Sequence, residues 1–226
     1  IGPATMAQYA VAAKFALIAA LLLQPFVMWW SPRRFQVLKE PDGIRRAANI
    51  AAIGSGLSLM IAVAVGLTAP LLIRLLLPPE YWDAAIYVPW LVLIVAIKDS
   101  AELLNLGCYT GKTTTAQLYI NLAGSGIGLL GMLMLVPQVG IWGAIAALTA
   151  AQLTRLVLYI AVSQKALHLP YPTASLLLLA TLTLMLLGLG TQVDGLLWQL
   201  LIATLALPAM AGAWFLTAPQ TKLSRG

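Results

Sequence analysis

Residues 47–76 read AANIAAIGSGLSLMIAVAVGLTAPLLIRLL, an apolar run whose one charged side chain, Arg74, stands near its far end. A helix crosses the hydrocarbon core of a bilayer in about 20 residues, so this stretch is longer than one crossing needs. Its apolar residues go all the way round, which suits lipid and not a half-wet surface. Backbone groups in lipid find no water, and the run must satisfy them internally as an α-helix. Gly54, Gly56, Gly66 and Pro70 interrupt it. A tilt or bend is therefore expected, with Pro70 as the place for a kink.

The same pattern recurs on both sides. Spans are expected near 6–30, 47–76, 84–107, 116–136, 141–164, 173–190 and 195–217, which makes the chain an all-α membrane protein of about seven transmembrane helices. Proline and glycine punctuate the ends at Pro32, Pro78, Pro79, Pro137, Gly140, Pro170 and Pro172. Hydrophobic residues make up 61% of the 226 positions and charged residues 9%, too few charges to coat a soluble domain. The runs do not alternate polar with apolar, so a β-barrel is not indicated. The lone Cys108 excludes an internal disulfide. The chain opens at Ile1 with no initiator methionine, basic leader or cleavage site, and it is expected to begin inside a longer protein.

The net charge of +6 lies in the connections, where sidedness explains it better than nucleic acid does. Arg33, Arg34, Lys39, Arg45 and Arg46 crowd the segment 31–46, and alternate connections add Lys112, Lys165, Lys222 and Arg225. The opposite connections hold Glu80, Asp83 and Asp194, with Arg74 as the only nearby cation. Basic loops stay inside, so the N-terminal end is expected outside and the C-terminus in the cytoplasm. Trp29, Trp30, Tyr81, Trp82, Trp90, Trp142, Tyr171 and Trp198 at span ends read as interfacial anchors.

Charged groups inside a span are costly and mark function. Lys14, Lys98, Asp99, Glu102 and Arg155 qualify. Lys98, Glu102, Asn105 and Tyr109 are spaced to share one helical face with Asp99 beside it, and Lys98 and Glu102 stand at i,i+4 in the weaker order. That face looks either at protein and water or, snorkelling, at the interface; Lys98 is about 13 Å from its helix end at 1.5 Å per residue. Thr149, Gln152, Arg155 and Tyr159 share about a third of the fifth helix. Arg155, with no acid on its own helix, suits either an anionic group in a cavity or neighbouring carbonyls. Lys14 sits mid-span, where snorkelling is hardest. Gln117, Asn121, Gly124 and Gly128 give the fourth helix a small-residue packing face, and Gly54 with Ser58 gives the second a weaker one. Gly107-Cys-Tyr-Thr-Gly111-Lys112-Thr113 is one residue short of a phosphate loop and follows no strand. His168 lacks acidic or cysteine neighbours, so neither a metal nor a cofactor site is expected.

Three stretches carry a family resemblance: Tyr9, Ala12 and Lys14 with Gln24-Pro-Phe and Trp30-Ser-Pro; Pro70-Leu-Leu-Ile-Arg-Leu-Leu-Leu-Pro-Pro-Glu-Tyr81-Trp-Asp-Ala-Ala; and Pro137-Gln-Val-Gly140-Ile-Trp-Gly143-Ala-Ile-Ala-Ala. Over roughly residues 5–165 the order of these features resembles the C-terminal half of bacterial polysaccharide flippases, in the multidrug/oligosaccharidyl-lipid/polysaccharide exporter superfamily. The resemblance implies one lobe of a two-lobed transporter around a central cavity, set in the bacterial inner membrane. Its substrate would be an undecaprenyl-diphosphate-linked glycan moved between leaflets. The N-terminal lobe, membrane lipid and polysaccharide polymerase or glycosyltransferase machinery would be its partners. On that reading Lys14, Lys98 and Arg155 line the cavity as cations for the diphosphate, Asp99 and Glu102 balance charge or couple an ion, and Asn105 and Gln152 line the wall. Two rivals stand beside it: a drug or cation antiporter of the same superfamily, and a membrane scaffold that transports nothing. An enzyme is not suggested, because no extramembrane segment offers an acid–base pair in a pocket.

Overall fold

A computed structural model describes residues 2–110, 115–191 and 196–217. Among these residues the chain is helical, without strands. The helices are α1 (Pro3–Val37), α2 (Gly43–Leu76), α3 (Val88–Leu103), α4 (Thr115–Val139), α5 (Ile141–Ala166), α6 (Thr173–Gly190) and α7 (Leu196–Thr217), with 3-10 segments at Pro79–Ile86 and Leu106–Tyr109. Helices α1, α2, α4, α5 and α6 are each long and apolar enough to cross a membrane, and the first 3-10 segment with α3, bent by 45°, makes a sixth such unit. The protein is an all-α, multi-pass membrane protein.

Several expected boundaries move. The basic segment 31–46 is mostly helix: α1 runs on to Val37, α2 starts at Gly43, and only Leu38–Asp42 forms the turn. Arg33 and Arg34 therefore ride the end of α1, Arg45 and Arg46 the start of α2, and Arg46 pairs with Glu40 across the turn. Charge marked the end of the apolar run, not the end of the helix, because Arg and Lys are themselves good helix formers. Asp42 takes a left-handed conformation, φ 56°, which reverses the chain. Helix α2 continues through Pro70 and α4 through Pro137. The break between α4 and α5 is Gly140 alone, at φ 62° and ψ −133°, a conformation that side chains rarely tolerate. Lys112, Asp194, Lys222 and Arg225, used for the sidedness argument, and the side chain of Trp198, read as an interfacial anchor, lie outside the described residues.

Helix α2 is the spine. It packs on α1, α3, α6, α7 and the first 3-10 segment, while α5 packs on α3 and α4. Alanine and glycine make the close approaches. Ala47, Ala48, Ala51 and Ala52 are fully buried on α2, and a Cβ on Gly54 would strike the Phe26 ring of α1. Helices α5 and α6, consecutive in sequence, scarcely touch, because α6 docks on α2 and α7 instead. Their separation leaves an opening between them.

Candidate functional site

Helix α3 carries the densest polar cluster. The Ser58 hydroxyl of α2 donates to Asp99 Oδ2 at 3.1 Å, and the Ser55 hydroxyl donates to that of Ser100 at 2.7 Å. Asp99 is buried, and Lys98 Nζ reaches both its Oδ1 at 3.9 Å and Glu102 Oε1 at 3.3 Å. The Lys98 and Glu102 side chains are 42% and 46% exposed, and because α3 ends at Leu103, Lys98 stands about 7.5 Å from the helix end at 1.5 Å per residue, nearer than the expected distance of about 13 Å. Side chains that close to a helix end reach water, the interface or more protein.

Asn105 and Tyr109 do not extend the stripe. Helix α3 ends at Leu103, short of the expected 107, and both residues fall beyond it. Side chains from the far end of α5 and the loop after it take over the backbone there: Tyr171 Oη donates to the Leu104 carbonyl at 3.2 Å, and the Gly107 N–H donates to Ser163 Oγ at 2.8 Å. Burial pushes the Tyr171 phenol upward, which keeps it a donor. Asn105 is buried with Oδ1 unpartnered, so it lines no open wall. Tyr109 instead lies under the Arg34 guanidinium, 4.2 Å from ring centroid to Cζ. Sequence reasoning had given Arg34 only a place in a basic loop.

Arg155 and Gln152 do meet, Nη1 donating to Oε1 at 3.3 Å. Arg155 lies against α4, its stem filling the space a Cβ on Gly124 would need, and its Nε has no partner. Tyr159 Oη donates to Asn121 Oδ1 at 3.1 Å, so the polar faces of α4 and α5 close on each other. Thr149 is spent on its own helix, donating to the Ile145 carbonyl. Lys14 is exposed on α1 and makes no hydrogen bond or ion pair with the described residues. The three expected cavity cations thus sit at three separate places. Neither described cavity includes any of them.

The larger cavity, about 890 Å³, opens where α5 and α6 part. Its walls are leucine, isoleucine and alanine from α3, α5 and α6, with Ser55 and Ser100 at depth and Trp90 and Trp142 at one end. At about 100° per residue, its α3 residues Leu93, Ile97 and Ser100 lie roughly opposite Lys98 and Glu102. One helix thus presents an apolar groove on one side and a charged cluster on the other. Ser58 is read from sequence only as half of a small-residue pair with Gly54, and no sequence signal marks the groove. His168 is exposed, and no group of three or more potential metal-binding side chains lies among the described residues. Lys112 of the phosphate-loop look-alike lies outside them. No protein-family model, no curated protein and no solved structure matches the chain.

Proposed function

We propose that the chain is one lobe of a transporter that moves an anionic, lipid-linked glycan across the bacterial inner membrane, as the flippases it resembles do. It crosses the membrane seven times on this reading, with α7 as the last span, the N-terminal end outside and the C-terminus in the cytoplasm. One observation carries the proposal: Lys98 and Glu102, in the last turns of α3, remain open although they are paired with each other. A charged face of that kind lines a watery path or meets a second lobe. Lys14, open and unpaired, adds a second cation to such a path. The apolar groove on the far side of α3 offers the lipid part of a substrate a place on the same helix.

The test is made in the full-length transporter. Lys14→Ala and Lys98→Ala should abolish surface polysaccharide while the protein stays in the membrane; normal glycan in both would overturn the cation role.

The closed grouping of Lys98, Asp99 and Glu102 favours a second reading, a scaffold in which these charges only hold helices together. Thiol labelling separates the two. In a Cys108→Ala background, Lys14→Cys and Lys98→Cys should react with a water-soluble, membrane-impermeant maleimide if a path exists, and stay unlabelled in a scaffold.

A further inference from the structure

The end of the bundle opposite the Arg33–Arg46 cluster holds a second cavity of about 450 Å³, and its chemistry differs from the groove's. Gln8 of α1, Arg74 of α2, Trp82 and Asp83 of the first 3-10 segment, Tyr87 and Thr191 line it. Arg74 and Asp83 share this pocket without forming an ion pair with each other, and Arg74 has no hydrogen-bonding partner among the described residues. The helix dipole accounts for a cation in the last turn of α2, but not for one that shares a pocket with an unpaired carboxylate. Asp83 is already oriented: Gln8 Nε2 donates to its Oδ2 at 3.3 Å and to the Glu80 carbonyl at 3.2 Å. Oδ1 is left open. Trp82 is half exposed, its indole N–H fixed on the Leu77 carbonyl at 3.1 Å, so its ring face is held in place. Tyr87 packs against Trp142 in a tilted pair, 5.5 Å between centroids and 56° between planes, and Trp142 lines the apolar groove. The polar pocket and the groove share that aromatic wall.

A pocket with one unpaired cation, one oriented anion and an aromatic face, at one end of the bundle, suits a zwitterion. We infer that it binds the headgroup of a phospholipid bearing a primary ammonium, with Arg74 on the phosphate, Asp83 Oδ1 accepting from the ammonium and Trp82 beside that ammonium. Guanidinium–phosphate hydrogen bonds are charge-assisted, and an ammonium over an indole face adds cation–π attraction. The inference does not depend on transport, nor on which leaflet this end faces.

Native mass spectrometry of the chain in detergent, titrated with phosphatidylethanolamine, phosphatidylcholine or phosphatidylglycerol, tests it. Phosphatidylethanolamine should be retained best, because quaternary choline cannot donate to Asp83 and glycerol carries no cation. Arg74→Gln should lower its retention about tenfold, the scale of one lost charge-assisted contact, and Arg74→Lys should restore most of it. Asp83→Asn, at an exposed position where a folding failure is not expected, should weaken phosphatidylethanolamine and spare phosphatidylglycerol. Glycerophosphoethanolamine should displace the lipid where the same concentration of inorganic phosphate does not; displacement by phosphate alone would mean a free-anion site and overturn the assignment. Equal retention of all three lipids, or retention unchanged in both Arg74→Gln and Asp83→Asn, would also overturn it.

Discussion

Two consecutive helix pairs of this protein are joined and packed in opposite ways. Between α4 and α5 the link is one residue, Gly140, and the helices touch along their length. Gly124, Gly128 and Gly131 of α4 face Arg155, Ala151 and Ala147 of α5, with the Cβ of Ala151 3.3 Å from where a Cβ on Gly128 would stand. Between α5 and α6 the link runs from Leu167 to Pro172 and the helices part, leaving the groove. In lipid, apolar side chains gain little by preferring each other to acyl chains, so close packing needs small residues that let backbones approach. The first pair has them in register. The facing sides of the second carry Leu153, Leu156, Ile160, Leu176, Leu177 and Leu184, which lipid solvates as well as a helix does. Small side chains, not hydrophobicity, decide where this bundle is closed.

The largest effect expected from breaking the seam is at Gly143. A Cβ there would stand 2.5 Å from the Leu135 carbonyl, a backbone group that cannot swing away. Gly143→Ala should cost about 3 kcal/mol, at the upper end for overpacking, seen as a large drop in the melting temperature of the detergent-solubilised protein. A melting curve like the parent's would mean that the two backbones are not in contact. Gly140→Ala should cost about 2 kcal/mol, because it forces a side chain into a sparsely populated backbone region; the same melting assay reads it.

Gly124→Ala is milder and more informative. The obstructing atoms are the Arg155 stem, which is flexible, so the cost should be about 1 kcal/mol, the low end for overpacking. Shortening that stem in Gly124→Ala/Arg155→Ala should recover part of the loss, and non-additivity of that size is what touching residues show. Strict additivity would place Arg155 away from α4.

How legible were these features in the sequence? The helices were, because hydropathy reports the solvent directly: α6 falls at the expected 173–190 and α5 within two residues of 141–164. The seam was legible in part, through Gly124 and Gly128, because small-residue spacing is a local signal. The end of α3 was not. Leu104 and Leu106 read as continuing span, and the partners that stop the helix, Ser163 and Tyr171, are about 60 positions away in sequence. The charged residues were found one by one but not their grouping, since Asp99 is fixed by Ser58 of another helix and Arg155 by the gap at Gly124. The groove left no local trace, because it exists only through the docking of α6 on α2.

The smallest effect on stability is expected in the groove, and it bears most directly on the contrast between the two pairs. Ala146 lies on α5 and lines the groove, away from the α4 seam. Ala146→Phe adds a ring to open apolar volume, so no neighbour has to move and none of the costs expected at Gly143 arises. The melting temperature should stay near the parent's, within about 0.5 kcal/mol, as for substitutions that disturb no packed contact. The ring would still take space from whatever lies between α5 and α6. If the groove holds the lipid part of a transported substrate, Ala146→Phe should therefore lower surface polysaccharide in the full-length transporter while leaving stability and membrane level alone. A loss of stability as large as that of Gly124→Ala would mean that α6 closes against α5, and the two helix pairs would then differ only in their links.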